Sequence, residues 1–349
     1  MAGVTQTFDD LGYYTLAGAP KSPRDLIDEA RDGERLGFGW AFIAERLNVK
    51  EAATLSGALG AVSTTLRIAT AATNHNTRHP LVTAAFATTM HRLTGGRFTL
   101  GLGRGIAPMT RALGLAPVTT VQLEDFARLM RRLWHGETIV GHDGPVGRYP
   151  FLRLDAAFDE DIGLGITAFG PNTLRLGGRA FDQVVLHTFF EDETLIRCVR
   201  TVKDEAERVG RDPDAVKVWS CLATIGDHLP EPDRLSKTVG RMATYLQAYG
   251  DLLVQTNGWD PAPLERFRAD SLVAGFPGAI DELATTAELE HVATLIPEAW
   301  LRPAATGTPS RCVAAIRSQL DLGADGVILH GASPHELEPI VDLWARSRS

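Results

Sequence analysis

The stretch "GITAFGPNTLRLGG", residues 165–178, reads as a buried strand that stops on Gly170-Pro171-Asn172 and continues as a helix. Its strand half is mostly apolar, broken only by Thr167, rather than alternating, which indicates a sheet covered on both faces and hence parallel. The turn admits two explanations. Proline at the first helical position gives up an N–H the helix would not use, a habit this chain repeats at Ser22-Pro23, His79-Pro80, Thr308-Pro309 and Ser333-Pro334. Alternatively, a turn stripped of side-chain bulk lets an anionic group lie against the first N–H groups of the helix.

The same strand-then-helix rhythm extends in both directions. Apolar, β-rich runs occur at 11–18, 39–45, 66–73, 97–103, 163–170, 183–189, 216–224 and 325–331. Between them lie segments of helical period: Leu26, Ile27, Ala30 and Leu36 share one face before Gly37, and Val313, Ile316 and Leu320 share another before Gly323. Eight such strands predict an α/β chain folded as one (β/α)8 TIM barrel over 1–349, although 349 residues would also accommodate two ordinary domains. Two connections exceed the rhythm. Residues 104–162 hold a helix and then a Gly-rich hairpin or loop, and residues 225–307 hold several helical pieces; both are expected to be insertions at the C-terminal mouth.

Composition narrows the partners. Apolar residues make up 44% and charged residues 22%, and the net charge of -8 argues against nucleic acid or an anionic membrane. Cys198, Cys221 and Cys312 are odd in number and lack CxxC spacing, which suits a reducing compartment. The N-terminal "MAGVTQTFDDLGYY" has no basic region followed by an apolar run, and no stretch reaches bilayer length, so a soluble, cytoplasmic protein is expected.

Barrel chemistry sits where strands end. The candidates are Glu45-Arg46, Thr73-Asn74-His75, Arg104-Gly105, Gly170-Pro171-Asn172, His187-Thr188 and His330-Gly331. In "GLGRGIAP" (101–108), alternate glycines flank Arg104, which reads either as a tight turn or as an oxyanion cradle. It is not a dinucleotide fingerprint, because Ile106 stands where the third glycine belongs and the motif follows the fourth strand. His75 and His79 are four apart, but Pro80 disfavours helical geometry at 79, so no metal is expected. Glu45-Arg46 reads as an internal salt bridge or as an acid beside a cation. His187 and His330 read as satisfied histidines.

With these stretches in hand, the chain resembles the bacterial luciferase-like monooxygenase family, and within it the branch that uses the deazaflavin coenzyme F420. The resemblance rests on "RLGFGWAFIAER", "LRIATAATNHNTRHP", "LVTAAFATTMHRLTGGRFTLGLGRG", "ITAFGPNTLRLGGRAFDQVVLHTF" and "TGTPSRCVAAIRSQLDLGADGVIL", with the run from His79 to Gly105 the most specific. It implies a luciferase-type barrel with an extended connection before the eighth strand. It also implies a bulge, often with a non-proline cis peptide, at Ala71, Ala72 and Thr73 that props the cofactor ring beside Asn74. Phosphate contacts map onto Arg104, Gly105, Ile106 and Ala107, and onto Ala168, Phe169, Gly170, Pro171 and Asn172. The chain departs from the family where several members place an acid–His pair, because Glu45-Arg46 stands there. If a proton is moved, Glu45 or His75 must serve. Adjacent residues at a strand end point to opposite sides, which makes Glu45 an anchor for Arg46 and leaves His75, titrating near neutral pH, as the better donor.

The resulting expectation is an oxidoreductase that moves a hydride between F420 and a small organic substrate. An oxygen-using FMN monooxygenase and a non-catalytic cofactor-binding barrel remain as alternatives. A basic mouth of Arg46, Arg78 and Arg104 would suit the acidic tail of F420, and the family implies a homodimer.

Overall fold

The computed structural model describes residues 6–18, 20, 22–46 and 49–348. Residues 1–5 of the N-terminal stretch read for a leader lie outside the described residues. All eight expected strands are present, and helices separate them in the (β/α)8 succession. The chain divides into two compact units, one of residues 1–39, 186–199 and 219–349, the other of residues 40–185 and 200–218.

In the first unit, β1 (Phe8–Tyr14) leads through Ser22, whose side chain accepts from the Arg24 N–H, into α1 (Leu26–Leu36). Leu26, Ala30, Gly33 and Leu36 face the core, and Gly37, at a φ of 85°, ends the helix as the sequence predicts. Ile27 is only half-buried. In the second unit, β2 (Phe38–Ile43) is buried at every residue, as a strand covered on both faces must be. It is followed by α2 (Ala52–Val62), β3 (Arg67–Thr70), α3 (Pro80–Thr94) and β4 (Phe98–Leu102).

The first long connection carries the short α4 (Ala107–Ala112), then α5 (Thr120–Trp134), whose Thr119 and Gln122 form a capping box. The Gly-rich stretch is a hairpin, β5 (Ile139–Gly144) against β6 (Gly147–Leu152). A buried carboxylate docks it: Asp125 on α5 accepts from the Val146 N–H at 3.1 Å and lies 3.1 Å from His142 Nε2. Next come β7 (Gly163–Thr167), α6 (Pro171–Ala180) and β8 (Gln183–Val185). The parallel order in this unit is β2-β3-β4-β7-β8. Its core is built from residues such as Phe42, Ile43, Leu100, Leu102, Ile166 and Val184, each 0% exposed.

After α7 (Asp192–Arg208), β9 (Lys217–Gly226) opens the second long connection. That connection holds α8 (Glu231–Leu235), α9 (Arg241–Asn257), further short helices and the three-residue β10 (Ala305–Gly307). β11 (Gly326–His330) follows helix Pro309–Asp321 and precedes helix Pro334–Arg346. The parallel order in the first unit is β10-β9-β11-β1, with Leu11 opposite Val327 and Gly326 opposite Trp219. Val313 and Ile316 are buried as expected, but Leu320 is only half-buried. Its neighbour Gln319 turns inward instead, where the Ser220 hydroxyl donates to it. A buried hydrogen bond has taken a place that periodicity assigned to leucine.

Candidate active site

The strands of the second unit end together along one edge, and that edge gathers the expected site. β2 runs out at Ile43, placing Glu45 beside the end of β3. The Glu45 N–H donates to the Ala72 carbonyl at 3.2 Å, and the Ala71 N–H donates to the Ile43 carbonyl at 2.7 Å. The Ala71–Ala72 peptide is cis, at the position the family resemblance implies. β4 closes the other side: the Thr73 N–H donates to the Gly101 carbonyl at 3.0 Å, the Gly103 N–H donates to the Thr73 carbonyl at 2.9 Å, and the Asn74 amide donates to the Gly103 carbonyl at 2.8 Å.

Glu45 pairs with Arg78, a partner that the sequence reading did not give it. Its side chain is 2% exposed and accepts from the Ala52 N–H at 3.1 Å, from the Thr73 hydroxyl at 2.6 Å and from the Arg78 guanidinium. Arg78 also donates to the Thr73 hydroxyl at 2.7 Å and pairs with Glu51. The carboxylate thus meets a cation supplied five residues beyond Thr73. Burial alone would raise the Glu51 carboxyl, but hydrogen bonds from Thr54 and Arg78 hold it down at about 2. Arg46 is tied into a bridge with Lys50. Of the arginines in the expected basic mouth, Arg78 is paired with two carboxylates, whereas Arg104 is exposed and its Nε donates to the neutral Val118 carbonyl at 2.9 Å. Sequence reading missed Glu51. The available signal was its place three residues before Thr54 at the start of α2, where its side chain caps that helix.

The three glycines of "GLGRG" differ in purpose. A Cβ on Gly101 would lie 1.7 Å from the Thr70 carbonyl oxygen, and one on Gly103 would lie 2.9 Å from the Ala72 Cβ, so both serve the close approach of β3 and β4. Only Gly105 is exposed, with a φ of 67° that a side chain rarely adopts. Ile106 and Ala107 follow it into α4. On the neighbouring strand, Ala168 and Phe169 lead to Gly170, the N-cap of α6. No side chain caps that helix, and a Cβ on Gly170 would meet nothing within 4 Å. Pro171 and Asn172 are exposed. Two bare backbone turns on the paired strands β4 and β7 thus fit a phosphate-bearing group.

His75 is not a group that titrates near neutral pH. Its ring is 5% exposed, packs edge-on against Phe126 with centroids 5.4 Å apart, and finds no hydrogen-bond partner at either nitrogen. Burial lowers its pKa to about 4. His79 is apart from it in role, accepting from the Leu81 N–H as the cap of α3. Among the described residues no group of His, Cys, Asp and Glu could hold a metal. The three cysteines are free and buried.

In the first unit, His187 and His330 do have partners. His187 Nε2 lies 2.8 Å from the Tyr249 hydroxyl, and His330 Nε2 lies 3.3 Å from the Tyr245 hydroxyl. The sequence reading missed Tyr14, Tyr245 and Tyr249, for which the spacing of the two tyrosines in "TYLQAY" was the available signal.

The description of luciferase-like monooxygenases matches residues 4–326. The chain belongs to the luciferase-like monooxygenase family. It is accordingly an oxidoreductase with the (β/α)8 barrel of that family. It is 24% identical over 305 residues to a 5,10-methylenetetrahydromethanopterin reductase of Methanolobus tindarius, covering 86% of this chain and 87% of that one. Its fold is similar to that of a coenzyme F420-dependent tetrahydromethanopterin reductase from Methanopyrus kandleri, with a TM-score of 0.79 at 18% identity, over 95% and 97% of the two chains. It is also similar in fold to a riboflavin lyase solved with modified FMN, with a TM-score of 0.70 at 17% identity, over 99% and 92%. Among the described residues, no helix is long and apolar enough to cross a membrane.

Proposed function

We propose that this luciferase-like protein is an F420-dependent oxidoreductase acting on a small organic substrate. The observation that carries the cofactor half is the pair of bare turns, Gly105-Ile106-Ala107 and Gly170-Pro171-Asn172, on paired strands. The reductase relatives support the deazaflavin and hydride transfer, which is the chemistry F420 supplies when bound. The chain's own residues would do the holding. Backbone N–H groups of the two turns would receive the phosphate, with Arg104 at the rim. Ala71, Ala72 and Thr73 would back the ring, and Asn74 would keep β3 and β4 in register through its bond to Gly103. Glu45 and Arg78 act on Thr73 rather than on substrate, so we assign them to positioning.

A second reading, an FMN-dependent monooxygenase, draws on the engagement of Arg78 and Arg104, since FMN has no acidic tail to satisfy. Equilibrium titration of the purified chain with F420 and with FMN separates the two. F420 should bind at least about tenfold tighter, roughly 1.4 kcal/mol. Equal or reversed affinities would move the assignment to FMN.

A further inference from the structure

We draw no further inference here: the strongest candidate, the outward face of the adjoining helices α2 and α3, where Ala58, Ala61, Val82 and Leu93 stand exposed, is an unpartnered apolar surface, and nothing in the structure shows what covers it.

Discussion

Protonating His75 should destabilise the protein, and the size of the effect follows from its surroundings. The ring is 5% exposed, both nitrogens lack partners, and its pKa lies at about 4. In the unfolded chain the imidazole titrates near 6.5, so between those values the unfolded state binds the extra proton and the folded state does not. Stability is therefore unaffected above about pH 6.5, falls as pH drops through the window, and levels off below about pH 4. The difference of roughly 2.5 pKa units corresponds to about 3 kcal/mol at the acid end. His75→Leu removes the titration without breaking a hydrogen bond, so its advantage over the unaltered chain should be small at pH 7 and grow by about 3 kcal/mol by pH 4. Urea unfolding midpoints across that range, paired with the NMR titration of the His75 ring, measure both quantities. His187 titrates in the same window in both proteins and cancels from the comparison. A pH-independent difference, or a ring that titrates near 6.5 in the folded chain, would refute the reasoning and restore His75 as a candidate proton donor.

The remaining predictions concern the second unit. Gly170→Val places its side chain in open space, so the fold should survive by circular dichroism while F420 affinity drops; unchanged affinity would remove the α6 turn from the site. Gly105→Val forces a branched residue to a φ of 67° and should weaken both cofactor binding and stability, the latter by about 1–3 kcal/mol, read from melting and titration together. Arg78→Met strands the buried Glu45 carboxylate and should cost about 3–5 kcal/mol in urea unfolding, and Glu45→Gln in the same background should recover part of that loss.

The succession of strands and helices was legible in the sequence because burial on both faces leaves a continuous apolar run, and because serine, threonine, proline and glycine mark helix ends by local chemistry alone. The eight strands, the Gly37 stop of α1 and the hairpin after α5 all follow from such short-range signals, and the resemblance placed the cis peptide at Ala71–Ala72. What sequence could not decide was which charges meet. Glu45 stands next to Arg46 in the chain, yet only the folded sheet brings Arg78 and Thr73 to its carboxylate. His75 looked titratable because its pKa is ordinary until Phe126, fifty-one residues on, helps to bury it. In the phenol and imidazole array of the first unit, Tyr245 and Tyr249 lie one helical period apart, but Tyr14, His187 and His330 reach them from distant parts of the chain. Secondary structure is fixed by neighbours within a few residues, whereas the charge and hydrogen-bonding state of a side chain is fixed by whatever the chain's return brings against it.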